Sequence, residues 1–234
     1  MALYIPKKVV LNWYKYDISF SICLLSIFID SVEEQAAKSI ADFKANVQTE
    51  VVDHGGGMES SHVHRGLDSS TWALEEVCEK YFPGLQRRSA LLTLWSYLEH
   101  ELDELCVLYK SEKGFRLTHL DLSGKGIDRS TGYLEKVAGL SGLKTSRAWR
   151  EIKEIQKIRN AIAHRDGKLG ADQGTVNTEF IKKAKGVRLM IEGDEIVLEE
   201  GFLTDVLVRF KSYFELIAAS INANEGAARA ASNA

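Results

Sequence analysis

Apolar residues recur at helical spacing along most of the chain, and strand-like alternation is confined to one short stretch. The clearest pattern lies near 85–110. There Leu91, Leu94, Trp95, Leu98, Leu102, Leu105, Cys106 and Tyr109 fall three or four apart and form one stripe. A second stripe, Trp149, Ile152, Ile155, Ile158 and Ile162, runs through WREIKEIQKIRNAIAHRDG at Trp149–Gly167. Ser146 is its natural N-cap and Asp166-Gly167 its stop. The most apolar run, 18–29 (ISFSICLLSIFI), is short for a membrane span and is bracketed by Asp17 and Asp30. It predicts the buried start of a helix continuing to about Val52. Shorter helices are expected over Trp72–Phe82, with Pro83 as a joint, and over Ser130–Ala138, closed by Gly139, with a turn or helix over Glu179–Lys185. Phe202–Ile221 reads as a closing amphipathic helix, and Val187–Leu198 alternates around Gly193-Asp194 as a hairpin. Met1–Tyr16 reads as extended. Val52–Ser70 reads as a Gly/Ser linker, and Lys113–Arg129 as a loop with Leu117, Leu120 and Leu122 tucked inward. The expected fold is mainly α with a small β-hairpin near the C-terminus. It is organised as an N-terminal segment 1–69, a helical domain 70–223 and a flexible tail 224–234.

Composition adds little to this until charge is mapped along the chain. With 45% hydrophobic and 27% charged residues, the chain has ordinary globular composition. Its three cysteines, with no C-x-x-C, fit a reduced, cytoplasmic protein without membrane association. The net charge of −3 argues against a generally basic nucleic-acid binder. Yet Lys110–Arg188 holds 18 Lys+Arg against 9 Asp+Glu, while the remainder holds 12 against 24. The basic stretch contains the second stripe, as an anionic substrate requires. A dipolar surface without a ligand gives the same numbers.

The candidate chemistry sits on that second stripe. At about 100° per residue, Arg159 falls between Ile155 and Ile152, on the apolar face. A guanidinium there cannot lose its charge and must meet a carboxylate, a phosphate or a chain end. Asn160 and His164 are four apart and share the adjacent face. Arg159 and His164 are about 140° apart on a regular helix, so their convergence needs the long Arg side chain or a loosened turn at Ala163. His164 lies in the last turn, where the helix dipole favours imidazolium. Glu99 and Glu101 edge the first stripe, and Glu99 is the preferred partner for Arg159. The plain alternative is a structural ion pair at Arg159 and a helix cap at His164. Elsewhere His54, His62 and His64 with Asp53 match no closed zinc spacing. The triplet 55–57 and Gly124-Lys125-Gly126 lack the features of a phosphate loop. No Ser/His/Asp set, activated cysteine or paired catalytic carboxylates are visible.

IRNAIAHRDG resembles the HEPN superfamily, whose signature here takes the form Arg-Asn-x3-His. Weaker resemblance extends to QRRSALLTLWSYLEHELDELC and SGKGIDRSTGYLEKVAG, covering about Leu85–Leu169. The resemblance implies an up-and-down helical bundle and a homodimer that brings two motif helices together, with Ala161 and Ala163 allowing close approach. It implies a metal-independent endoribonuclease needing no cofactor, with RNA as substrate and the 2′-hydroxyl as nucleophile. Arg159 would stabilise the phosphate and His164 would move protons. Asn160 would orient the imidazole or touch RNA, Arg165 would contact RNA, and Glu99 would support the site. A toxin or phage-defence setting, with an antitoxin or other regulatory partner, goes with such an activity. The residues after His164 are Arg165-Asp166, where members controlled by a partner nucleotidyltransferase commonly have a Tyr. Other members are non-catalytic helical dimerisation or binding modules, the alternative reading.

Overall fold

The computed structural model describes residues 18–53, 58–168, 176–190 and 195–232. They form a mainly helical protein with two small antiparallel sheets. The helices are α1 (Ser19–Asn46), α2 (Leu74–Glu76), α3 (Phe82–Lys113), α4 (Gly126–Lys136), α5 (Arg147–Arg165), α6 (Thr178–Lys183) and α7 (Phe202–Ser232). The strands are β1 (Gln48–Asp53), β2 (Met58–His64), β3 (Leu67–Asp68), β4 (Val187–Met190) and β5 (Glu195–Leu198). Among the described residues no helix is long and apolar enough to cross a membrane. The chain divides into two compact units. One draws on Met1–Leu24, Thr93–Asn160 and Val206–Ala234, the other on Leu25–Leu92 and Ala161–Asp205.

The first unit has a core of helix faces. Leu94, Trp95, Leu98, Leu102, Leu105, Cys106 and Tyr109 of α3 are buried, as their spacing predicts. So are Ile152, Ile155 and Ile158 of α5 and Val206, Phe210, Tyr213 and Ile217 of α7. Trp95 meets Phe210 edge-on at 6.3 Å between ring centres, and Trp149 lies 5.6 Å from Tyr213. Helix α4 starts four residues earlier than the pattern predicts. It ends at Lys136, and the chain turns off at Gly139 (φ 74°), where the Leu140 N–H reaches back to the Leu134 carbonyl. The buried hydroxyls of α4 find partners: Ser130 donates to Asp103, and Thr131 and Tyr213 share a 2.8 Å bond. Two expectations fail in this unit. Leu117 and Leu120 are exposed, and it is His119 that turns inward, in a short 3₁₀ turn boxed by Thr118 and Asp121. The expected tail is helical, because α7 continues to Ser232 with Asn224 donating to the Ala138 carbonyl.

In the second unit the expected linker is instead an antiparallel sheet. β1 pairs with β2 (Gln48↔Val63 to Asp53↔Met58), and β2 pairs with β3 through the two-residue turn Arg65-Gly66. Both turn residues have positive φ, 50° and 82°, the geometry that matches strand twist in a tight hairpin. α1 therefore stops at Asn46, short of Val52, because β1 takes over the β-branched residues Thr49, Val51 and Val52. The apolar run 18–29 is only partly buried: Leu25 and Ile29 are covered, while Phe20, Leu24 and Ile27 are exposed. Pro83 makes no joint. A π turn at Val77–Tyr81 passes the Phe82 N–H to the Val77 carbonyl and carries the helix through the proline. Strands β4 and β5 form the expected C-terminal antiparallel pair. Its turn residues Gly193-Asp194, the extended segment Met1–Tyr16, His54 and the glycine triplet lie outside the described residues.

The Thr131–Tyr213 bond gives the first prediction. Tyr213→Phe leaves a buried hydroxyl unpaired and should lose about 1–3 kcal/mol in urea unfolding. Adding Thr131→Val to Tyr213→Phe should recover most of that loss. Equal stability of single and double variants would show that the pair is not coupled.

Candidate functional site

Helix α5 is fixed at both ends by its own sequence. Ser146 accepts the Trp149 N–H at 3.0 Å. At the other end Asp166 (φ 52°) and Gly167 (φ 84°) turn left-handed, and the Gly167 N–H returns to the Ala161 carbonyl at 3.1 Å. Several cations on and around α5 are neutralised locally: Arg147 and Arg209 meet Glu151, Lys153 meets Asp128, and Lys157 meets Glu154. The division into units falls between Asn160 and Ala161. Arg159, Asn160 and Glu99 thus belong to the first unit, His164 and Arg165 to the second.

Arg159 is half-buried. Its Nη1 donates to Asn160 Oδ1 at 3.1 Å, and its Nε is buried with no hydrogen-bond partner. Among the described residues no carboxylate meets it, so the expected pair with Glu99 is not made. The Glu99 carboxylate instead lies beside Gly126, where a Cβ would collide with it. Gly126 has φ 50°, so α4 enters beside Glu99 through a backbone shape that suits glycine.

In the second unit, His164 is exposed in the last turn of α5, and Arg165 is half-buried. Helix α5 runs unbroken to Arg165, without the loosened turn at Ala163 that the sequence left open. The common element of Arg159 and His164 is the helix itself.

The sequence reading missed Arg88. Its side chain is 11% exposed and forks between Asp166 (Nη1, 2.7 Å) and Glu195 (Nη2, 2.5 Å). A Cβ on Gly167 would press on Arg88 Nη2 and the Ile196 carbonyl, while the Ile196 N–H donates to the Gly167 carbonyl at 2.9 Å. Arg88 thereby pins the end of α5 to β5, two residues beyond His164. The available signal was the Arg87-Arg88 pair within an apolar helix, since each buried guanidinium demands an acid. Arg87 finds Glu33 in the same way.

His62 hydrogen-bonds Thr49, and His64 is buried edge-on against Phe43. Among the described residues no three His, Cys, Asp or Glu side chains gather as a metal-binding group. Burial, reinforced by the Asp103 charge, pushes the Cys106 thiol far up, which leaves it an inert core residue. No family model, curated protein or solved structure matches this chain.

A half-buried cation without a carboxylate has little attraction to set against its desolvation. Arg159→Met should therefore leave the urea midpoint unchanged or raise it, the stability change staying within about 1 kcal/mol or favouring the variant. A loss above about 2 kcal/mol would make Arg159 a structural residue.

Proposed function

We propose that the protein is a metal-independent endoribonuclease of HEPN type, acting through Arg159, Asn160 and His164 of α5. The observation that carries this reading is the uncompensated charge of Arg159. A permanently charged group on an apolar face needs an anion, and among the described residues no carboxylate supplies one. A phosphate would answer that charge, because the guanidinium fork matches two phosphate oxygens. Arg129 also has a buried, unpaired Nε, so that feature alone does not single out Arg159. Its neighbours do. Asn160 accepts from Arg159 through Oδ1, which leaves its amide N–H groups to donate, and His164 presents an imidazole to solvent on the same helix.

RNA carries its own nucleophile, so cleavage needs proton transfer and stabilisation of the crowded phosphate, with no bound ion. His164 would move protons at the reacting oxygens. Arg159 would hold the non-bridging oxygens. On an unbroken helix the two point about 140° apart, so a complete site is assembled with the α5 of a second copy. Ala161 and Ala163 keep that approach open. The same spacing favours the alternative, a non-catalytic helical dimerisation or binding module, if no second copy engages. A toxin or phage-defence role with a neutralising partner is the setting such an activity fits.

The tests follow from the mechanism. Light scattering at micromolar concentration should report a dimer, and a pure monomer would contradict a shared site. His164→Ala should lose roughly 10²–10⁴ in cleavage rate while remaining folded. Cleavage should persist in excess chelator, leave 2′,3′-cyclic or 3′-phosphate and 5′-hydroxyl ends, and stop when the scissile 2′-hydroxyl is removed. Cutting of the deoxy-substituted strand would refute the mechanism.

A further inference from the structure

We infer that β1 is an edge through which two copies of this chain join, its outer side pairing antiparallel with the β1 of a second copy so that Val51 faces its own counterpart. β1 is the outer strand of its sheet, and among the described residues nothing pairs with its far side. Such an edge presents a row of N–H and C=O groups that another extended backbone matches in full. β3, at the opposite edge, is only two residues long. β1 has six, pairs with β2 without a bulge, and contains neither Pro nor Lys, so the usual means of blunting an edge are missing. The rest of the unit supports it thinly. β3 flanks β2 only at Val63 and His64, so from Thr49↔His62 outwards the sheet is a two-stranded ribbon. Gln48, Thr49, Glu50 and Val51 are all exposed, so neither face of β1 is covered there. Val51 is 64% exposed, and Met58, on the same face, is 82% exposed. Two-stranded ribbons are marginal in water, and a further strand steadies them.

The chemistry of the edge narrows its occupant. Residues 48–64 include Glu50, Asp53 and Glu59 but no Lys or Arg, so a nucleic-acid strand is repelled. A second β1 suits it, being already extended, with little ordering left to lose, and rich in the β-branched Thr49, Val51 and Val52. Hydrogen-bonded and non-hydrogen-bonded pairs alternate along antiparallel strands, so a two-fold axis must fall on a residue facing its own copy. Two such registers pair five residues of β1. The one centred on Glu50 sets two carboxylates face to face, which is unfavourable. The one centred on Val51 sets Glu50 against Val52 and Asp53 against Thr49, and brings two exposed valines together. Charge therefore selects the Val51 register. A five-residue strand pair is small beside the roughly 800 Å² per partner of a standard interface, so the contact is weak and depends on concentration. It is separate from the contact proposed at α5. Where both form, dimers join into four-chain or longer assemblies.

The experiment is disulfide trapping in the full-length protein carrying Cys23→Ser, which leaves only the buried Cys78 and Cys106 as native thiols. Facing residues have Cα atoms about 4.5–5.5 Å apart, within disulfide reach. In the Val51 register Glu50 and its copy are offset along the strands by about 7 Å, and Thr49 and its copy by about 14 Å. In a glutathione redox buffer Val51→Cys should therefore become a covalent dimer, while Thr49→Cys and Glu50→Cys should not cross-link to themselves. Mixing the Glu50→Cys and Val52→Cys proteins should restore cross-linking, because those positions face each other. In sedimentation velocity the wild-type mass should rise with concentration, and Val51→Lys, which opposes two ammonium groups, should abolish that rise. The contact does not rest on the ribonuclease reading, so Val51→Lys should leave cleavage at the wild-type rate. Three results would each overturn the contact: no cross-link from a Val51→Cys thiol that reacts freely with Ellman's reagent, equal self-cross-linking at Thr49, Glu50 and Val51, or the same rise in mass for Val51→Lys as for wild type.

Discussion

Arg88 is buried and cannot be discharged, and much of the second unit follows from that constraint. Two carboxylates must reach it. Asp166 does so only because the chain turns left-handed directly after α5, and Glu195 only because β5 begins beside it. Gly167 must lack a Cβ for the guanidinium and the Ile196 carbonyl to fit. The stop of α5 is therefore a tertiary feature as well as a local one. Each charge-assisted bond is worth about 1.5–3 kcal/mol where desolvation is offset, and Asp166, 72% exposed, gives up little hydration to make its share. His164, in the turn just before, inherits its placement from this clamp.

What was legible in the sequence was what local periodicity decides. The stripe of α3, the start of α5 at Ser146 and its end at Asp166-Gly167 all follow from spacing and capping chemistry, because a helix buries one face whatever it packs against. The sheet β1–β2–β3 was not legible. Its residues Ser60, Ser61, His62 and His64 carry no strand signal alone, and they pair because β1 presents a matching edge. Pro83 misled for a similar reason, since a π turn in the preceding residues absorbs the missing donor. Leu117 and Leu120 were expected inside by hydrophobicity, yet the site beneath the loop is filled by His119.

The candidate site divides along the same line. That Arg159 lies on the apolar face is angular arithmetic, and the structure places it half-buried. Its partner was beyond such arithmetic. Glu99 has suitable spacing and chemistry, but the close entry of α4 at Gly126 puts its carboxylate elsewhere. The acids that hold Arg88 lie 78 and 107 residues away in sequence, at distances no local pattern encodes.

Arg88 and Arg159 then show two ways of covering the same charge. Arg88 is buried and Arg159 half-buried, and both guanidiniums are permanently cationic. The first is fully answered by the fold, with two carboxylates and a glycine shaped around it. The second is answered by a single amide oxygen and keeps a buried Nε without a partner. If selection acted on stability alone, the second arrangement would lose to a methionine, because an apolar side chain fills the same stripe without the desolvation penalty. The proposed binding of an anion at Arg159 would account for keeping it, since stability is commonly given up where a binding site is built.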